Sequence, residues 1–517
     1  MCFKEIIKYL IIMCGILCVH GLHGYVNSKL LMHRGPDSTK VTKLGKCIMV
    51  FNRLCINDIS ESGQQPFMHG NQMLVCNGEI FNHKTFACNR LSSSDCECLL
   101  PLIQKDGFFS AMQQISGEFA ICMTDGDRLM ASRDHMGIRP LFYTKYDGGI
   151  AMASEVKALL NYDTPIQIFP PGHIYDSYSD QFSCWYPGFW DCSVLTPQSS
   201  IKDAFIQSVK DRVTNSDRPL AFLLSGGLDS SLVVSVAKSV GCQNMKTFSV
   251  GTKDSPDCKA ARRVSEYLNT DHTEVYFDVA EGIKNLEEVI WSIESYDTTT
   301  VRASVPMWSL ARHISQTTDC KVILSGEGSD ELFGGYLYFH GAPSVDHFSS
   351  ENTRRLRLIH QFDGLRADRC IAAHGLELRV PFLDKHFIDV GMTIDQSLKL
   401  PKDGVEKWVL RDAFKGDYLP DDILWRQKNG MSDAVGYSWV SEVKKHAEET
   451  ISDDQFETIK FEAQGHNVPL TKEEALYRLI FWKKFGHDDD HLISEIWRPR
   501  WTNETDPSAT KLKNFVF

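Results

Sequence analysis

The run Ala221-Phe222-Leu223-Leu224-Ser225-Gly226-Gly227-Leu228-Asp229-Ser230-Ser231 constrains this chain more than any other stretch. Four apolar residues lead straight into a glycine-rich turn, and Ser230 to Val240 then places apolar residues at helical spacing. The order is strand, tight turn, helix. Glycines in such a turn let the main chain approach an anion, and consecutive N–H groups at a helix start bind phosphate oxygens. Ser225 and Ser230 add hydroxyl donors, and the carboxylate of Asp229 suits the Mg²⁺ that accompanies a nucleotide. No Gly-Lys-Ser/Thr follows, so the turn is not of the Walker type. An ordinary strand–helix turn accounts for Gly226 and Gly227 but not for the serines and aspartate around them.

A second strand end repeats the theme. Val322-Ile323-Leu324 enters Ser325-Gly326-Glu327-Gly328-Ser329-Asp330-Glu331. Carboxylates beside glycines on one sheet edge are costly unless they meet a cation or a proton-transfer task. Asp330 joins Asp229 as a candidate Mg²⁺ ligand, Glu327 is the candidate for proton transfer, and Glu331 reads as a solvated member of the loop.

From about Ile201 strand-like and helix-like stretches alternate, which predicts an α/β doubly wound, largely parallel sheet with ligands at the carboxyl ends of its strands. Residues from about 340 to 517 read as a mostly helical part that caps this sheet. Earlier, up to Gly172, short β-like runs such as Cys47–Phe51 and Glu118–Met123 are separated by turn signals, giving an α+β domain. The expected division is 14–173, a linker over 174–200, and 201–517.

The net charge of −12 disfavours a polyanionic partner, because nucleic-acid affinity rests on Lys and Arg. Sixteen cysteines are scattered at irregular intervals, unlike a short disulfide scaffold, and read as buried apolar residues in a reducing compartment. The apolar run that begins within Met1–Met13 is too short to span a membrane and lacks a signal-cleavage pattern. A cytoplasmic protein without membrane or nucleic-acid partners is expected.

The first turn resembles the pyrophosphate loop of ATP pyrophosphatases, and the chain as a whole resembles asparagine synthetases of the glutamine-dependent type. The further strings that carry the likeness are Glu294-Ser295-Tyr296-Asp297, Thr299-Thr300-Val301-Arg302-Ala303-Ser304, Gly334-Gly335-Tyr336 and Leu376-Glu377-Leu378-Arg379-Val380-Pro381-Phe382-Leu383-Asp384. Glu406-Lys407-Trp408-Val409-Leu410-Arg411, Trp425-Arg426-Gln427-Lys428 and Thr505-Asp506-Pro507-Ser508-Ala509 complete the set. The resemblance implies that aspartate attacks the α-phosphorus of ATP and that ammonia then displaces AMP. It implies that Leu224 and Val250 flank adenosine and that Ser325 and Gly326 contact the nucleotide. Glu327 would deprotonate ammonium, Lys407 would neutralise phosphate charge, and Thr299 and Arg302 would handle aspartate.

The first domain carries Cys14-Gly15-Ile16, His33-Arg34-Gly35-Pro36-Asp37, Arg53-Leu54, Asn77-Gly78-Glu79-Ile80 and Ser94-Asp95. These are similar to the N-terminal-nucleophile (Ntn) amidotransferases, which implies an Ntn-hydrolase-type sandwich. Cys14 would attack the glutamine amide with its own α-amine as base. Arg53, Glu79 and Asp95 would bind glutamine, and Asn77 with the Gly78 N–H would form an oxyanion hole. Cys14 stands behind thirteen residues, so the active chain is expected to begin at Cys14, by initiation at Met13 or by removal of the extension. Small-molecule substrates are the partners implied, with a homodimer left open. The alternatives are an ammonia-only synthetase with a dead glutaminase site and a catalytically silent family member.

Overall fold

The computed structural model describes residues 14–22, 24–86, 92–188, 195–253, 255–427, 438–503 and 506. Residues 1–13, Lys428, Thr505 and 507–509, which entered the sequence reading, lie outside them. Among the described residues, twelve strands build the first part of the chain. These are β1 (Gly15–Gly21), β2 (Ser38–Leu44), β3 (Cys47–Arg53), β4 (Phe67–His69), β5 (Gln72–Ile80), β6 (Gly117–Thr124), β7 (Leu129–Arg133), β8 (Phe142–Tyr146), β9 (Gly149–Ala153), β10 (Gln167–Ile168), β11 (His173–Asp176) and β12 (Gln181–Cys184). They form two six-stranded antiparallel sheets, ordered β10-β8-β9-β1-β3-β2 and β12-β11-β7-β6-β5-β4.

Alternation along the strands explains why the sheets stack. Ile16 and Cys18 of β1 and Met49 and Phe51 of β3 meet Met73, Val75, Ala120 and Cys122 of the facing sheet. Leu17 and Val19 point the other way, into a cluster continuous with the core of the second domain. The helices Leu99–Asp106 and Phe108–Gln114 cover the outer face of the second sheet through Leu99, Ile103, Phe108 and Met112. Every described cysteine is a free thiol, and most are buried, as their scattered spacing predicts. No described helix is long and apolar enough to cross a membrane.

The second part holds β13 (Leu220–Leu223), β14 (Lys246–Gly251), β15 (Asp271–Tyr276), β16 (Val322–Leu324) and β17 (Glu377–Arg379), all parallel, in the order β15-β14-β13-β16-β17. The strand order reverses between β13 and β16. In an open α/β sheet the crevice beyond the carboxyl ends of two such strands is where ligands bind, and both glycine-rich turns leave the sheet there.

Two expectations need correction. The stretch 174–184, read as the start of a linker, continues β11 and forms β12, which pair as a hairpin from Asp176↔Gln181 to His173↔Cys184. Polar residues on both strands (His173, Asp176, Gln181, Ser183) hide the alternation. The fifth parallel strand, β17, comes from the region read as helical; with three residues, two of them charged, it has no β signature of its own.

Candidate functional site

A cavity of about 210 Å³ opens at the switch point, beyond β13 and β16. The helix Leu228–Ser239 starts directly after Gly227, so Asp229 and Ser230 sit in its first turn. The Ser230 hydroxyl accepts from Ser225 N (3.1 Å) and lies 3.0 Å from the Ser225 hydroxyl, which ties the turn together. Leu224 N donates to Phe248 O (2.8 Å) and Ser325 N to Arg379 O (3.1 Å), anchoring the two turns to their neighbouring strands. Leu224, Ser225, Gly227, Asp229, Ser230 and Val250 line the cavity from one side. Ser325, Gly326, Glu327 and Asp330 line it from the other, and Thr299 and Lys407 also face it. Gly226 does not line it; its carbonyl accepts from Arg426 (3.1 Å).

Lys407 joins the two turns. Its Nζ lies 2.7 Å from Asp229 Oδ2 and 2.6 Å from Asp330 Oδ1. Ser329 Oγ donates to Asp229 Oδ1 (2.7 Å). Lys407 has φ 55°, a left-handed conformation that costs a non-glycine residue about 1–3 kcal/mol and is held only where surroundings over-determine it. The lysine stem passes so close to Gly335 that a Cβ there would stand 1.9 Å from Lys407 Cε, so a side chain at this position would displace the lysine. Two carboxylates with hydroxyls nearby suit Mg²⁺, which takes one or two carboxylates beside substrate phosphates and keeps waters. Among the described residues no group of three or more His, Cys, Asp or Glu side chains gathers into a metal cage.

Glu327 is held by Arg366, whose Nη2 donates to Glu327 Oε2 (2.9 Å) and to Asp363 Oδ1 (2.6 Å). Burial works against the Arg366 charge, but the carboxylates of Glu327 and Asp363 override it and raise its pKa. Glu331 is not solvated as expected. It is 3% exposed and accepts from the Tyr336 hydroxyl, and burial with the nearby Asp363 and Asp330 charges pushes its carboxyl well up.

Arg302 is the clearest departure. It does not line the cavity; Nε and Nη2 donate to the two oxygens of Glu473, both at 2.7 Å, and Nη1 to Asp506 at 3.0 Å. The fork expected to take a substrate carboxylate is spent on a buried ion pair, and the arginines that line the cavity are Arg366, Arg411 and Arg426. Arg302→Ala is therefore expected to lower unfolding free energy by about 3–5 kcal/mol, the usual consequence of stranding a buried charge. Chemical denaturation checks this; unchanged stability with a raised KM for aspartate would restore the binding role. Thr299, by contrast, lines the cavity and has a buried hydroxyl with no partner among the described residues.

A second group forms where β1 starts and β3 and β5 end. Cys14 Sγ accepts from Leu54 N (3.3 Å), and Ser154 Oγ accepts from Ile16 N (3.0 Å) and Asn77 Nδ2 (3.4 Å), so one serine links the cysteine's strand to Asn77. Gly78 has φ 140°, and a Cβ there would fall 1.9 Å from Glu118 O. Asp95 accepts from Ile80 N (2.7 Å) and Asn57 Nδ2 (3.3 Å). The Arg53 guanidinium is oriented by the carbonyls of Ser60 (2.6 Å) and Asp58. Burial pushes the Cys14 thiol up, opposed by the Leu54 main chain. The Glu79 side chain turns instead to the domain interface, where Arg379 Nη2 reaches it at 2.5 Å. Burial, opposed by Arg379 and aided by Glu377, raises the Glu79 carboxyl well above its ordinary value.

Charged residues that the sequence reading passed over bind the two parts together. Asp368 accepts from Arg34 (3.0 Å) and Arg139 (3.3 Å), while Glu118 accepts from Arg212 (3.0 Å) and Val380 N (3.2 Å). The cluster Arg366-Ala367-Asp368-Arg369 carries a signal that could have been used: three charges in four residues of a helix whose burial extends all round.

Residues 13–173 match the glutamine amidotransferase domain family, and residues 200–354 and 342–509 match the asparagine synthase family. Glutamine-hydrolyzing asparagine synthetase 3 of Arabidopsis thaliana is 42% identical over 548 residues, covering 96% of this chain and 94% of that protein. The glutamine-hydrolyzing asparagine synthetase of Asparagus officinalis is 39% identical, covering 96% and 92%. A probable glutamine-hydrolyzing asparagine synthetase of Dictyostelium discoideum is 40% identical, covering 94% of each.

Proposed function

The chain belongs to the family of glutamine-hydrolysing asparagine synthetases, and on that premise we propose that it makes L-asparagine from L-aspartate and ATP with ammonia drawn from L-glutamine. The observation that carries the reading is Lys407 held between Asp229 and Asp330 at the switch point, with Glu327 on the same turn as Asp330. The glutaminase unit is taken as 14–184 and the synthetase unit as 201–517, in a cytoplasmic enzyme that acts on small molecules.

In this reading the turn Ser225–Ser230 receives the ATP phosphates, and Leu224 and Val250 border the adenosine. An oxygen of the aspartate β-carboxylate attacks the α-phosphorus, the bond to pyrophosphate breaks, and β-aspartyl-AMP forms. Lys407 offsets the negative charge on the phosphates as it builds. Mg²⁺ bound by Asp229 and Asp330 would supply further charge neutralisation at the pyrophosphate. Ammonia then attacks the acyl carbon, AMP leaves, and Glu327, steered by Arg366, takes the surplus proton. Thr299, which lines the cavity and whose buried hydroxyl has no partner among the described residues, is assigned to aspartate.

At the other site the Cys14 sulfur attacks the glutamine amide carbon and ammonia departs; water then releases glutamate from the thioester. A thiol whose burial raises its pKa gives up its proton only to a nearby base. The free α-amine of Cys14, when it is the first residue, is that base. Asn77 and the Gly78 N–H stabilise the oxyanion, and Arg53 and Asp95 bind the α-carboxylate and α-ammonium of glutamine.

The deciding experiment measures asparagine, AMP, pyrophosphate and glutamate from aspartate, glutamine and Mg-ATP. Equal yields of asparagine, AMP and pyrophosphate are expected. Synthesis from ammonia without glutamate formation would instead leave an ammonia-only enzyme, and no nucleotide turnover would sink the reading. Asp229→Asn and Asp330→Asn should each weaken Mg²⁺-dependent ATP turnover, since each removes a charged oxygen from a hard cation and loosens Lys407. Both should spare glutamine hydrolysis. Wild-type synthesis across a Mg²⁺ titration in either variant would overturn the metal assignment.

A further inference from the structure

Lys399 is a charged residue at 0% exposure, at the end of the 3₁₀ turn Gln396–Lys399. Its Nζ donates to Asn352 Oδ1 (3.0 Å), lies 3.5 Å from Met392 Sδ, and stands 5.8 Å from the centre of the Phe333 ring. These contacts come from three different helices, Val345–Leu358, Lys385–Thr393 and Ser329–Phe333, and all are neutral. The buried and half-buried carboxylates on those elements are engaged elsewhere, and the remaining one, Asp346, is exposed at the start of its helix. Glu351 pairs with Arg354 and Arg355, Asp389 with the Tyr186 hydroxyl, Glu331 with Tyr336, and Asp330 with Lys407. On its own turn, Asp395 bonds Ser397.

Burying an ammonium without a counter-ion is costly, and a leucine or methionine would fill the same space at no such cost. What the lysine does here is visible in the next bond. Asn352, its oxygen engaged by Lys399, turns its Nδ2 to donate to the main-chain oxygen of Glu331. That carbonyl belongs to the five-residue helix Ser329–Phe333, whose cavity side presents Ser329 to Asp229 and Asp330 to Lys407. A helix so short has little hold of its own, so its placement depends on the groups behind it.

We propose that Lys399 is a positioning residue of the synthetase site, holding through Asn352 the short helix that brings Ser329 and Asp330 to Asp229 and Lys407. The inference rests on the reading of this cavity as the adenylate-forming site. It also gives the site a dependence on pH. Burial lowers the Lys399 pKa from 10.5 to about 7, so the hydrogen bond to Asn352 is charge-assisted below neutrality and weaker above it. Stability runs the opposite way. Below pH 7 the lysine is charged in both states and the fold bears the full penalty; that penalty is relieved between about pH 7 and 10.5, where only the folded state has lost the proton.

The test is Lys399→Met in protein shown by intact mass to begin at Cys14, read by ammonia-dependent asparagine and pyrophosphate formation, glutaminase rate and thermal unfolding. Methionine matches the length and packs among Met392 and Phe333, so the fold is retained. The expected result is a kcat for ammonia-dependent synthesis lower by about tenfold at pH 6.5, roughly what one hydrogen bond to a charged group is worth in a rate. The ratio of wild-type to variant kcat should shrink as pH rises through neutrality, a comparison in which other titrations cancel. Glutaminase should be unchanged, and the variant's Tm should equal or exceed that of the wild type, most clearly below pH 7. Asn352→Leu should reproduce the loss of kcat. Wild-type kcat in Lys399→Met, a ratio flat with pH, or parallel loss of Tm and glutaminase would each overturn the proposal. Should wild-type protein itself form no pyrophosphate from aspartate and ATP, the underlying reading fails first.

Discussion

Replacing Glu327 by glutamine is expected to suppress asparagine formation by about 10²–10⁴-fold, the range typical of a lost acid–base group, from glutamine and from ammonia alike. The geometry makes the substitution a clean one. Arg366 Nη2 donates to Glu327 Oε2 at 2.9 Å, and the amide oxygen of glutamine accepts the same bond. Asp363, 2.6 Å from the same guanidinium nitrogen, keeps Arg366 in place. Nucleotide binding, assigned in the proposed reading to the turns of β13 and β16 and to Lys407, should therefore persist. What glutamine cannot do is accept the proton that ammonium or the attacking ammonia must lose. Nucleotide affinity and asparagine yield, measured side by side with saturating ammonia, check this. Full ammonia-dependent synthesis by the variant would remove Glu327 from the mechanism.

The contrast between Arg302 and Arg366 shows what the sequence could and could not convey. Groups that stand together in sequence were legible: each glycine-rich turn carries its serines and carboxylates within seven residues, and the fold then places both at the switch point. Both arginines lie on helices, and either could have faced the substrate. Arg302 is claimed by Glu473, 171 positions away, a pairing that no spacing announces. Arg366 is set by Asp363 three positions back and by Glu327 on another strand's turn. The same reason hid Lys399, whose partners come from three helices, and Glu79, whose carboxylate is drawn to Arg379 across the domain boundary. In the sandwich, apolar alternation made most strands legible, while the β11–β12 hairpin lost that signal to its polar residues and β17 was too short to have one. Sequence thus exposes the groups that cluster along the chain, and the distant ion pairs that orient them become visible only in the fold.

The other large effect belongs to the first domain. Cys14→Ala is expected to lower glutamine-dependent asparagine synthesis by roughly three orders of magnitude or more, as removal of a nucleophile does elsewhere, while ammonia-dependent synthesis stays at the wild-type level. The separation follows from the architecture: Cys14 bonds Leu54 through its sulfur and Arg34 through its carbonyl, and neither of these lines the cavity at the switch point. Alanine at this half-buried position keeps the main-chain bond from Arg34 Nε (3.0 Å) and removes only the sulfur. The pH dependence of the unmodified site adds a second signature. Because burial raises the thiol, catalysis waits on a base, and an α-amine titrates near pH 7.7–8.0. Glutaminase kcat/KM should then rise with pH through that range in protein shown by intact mass to begin at Cys14. The same protein carrying residues 1–13 offers only an amide nitrogen at this place, and should hydrolyse glutamine poorly while still making asparagine from ammonia. Equal glutaminase rates with those residues demonstrably attached would rule out the α-amine as base, and glutaminase activity surviving in Cys14→Ala would rule out the cysteine itself.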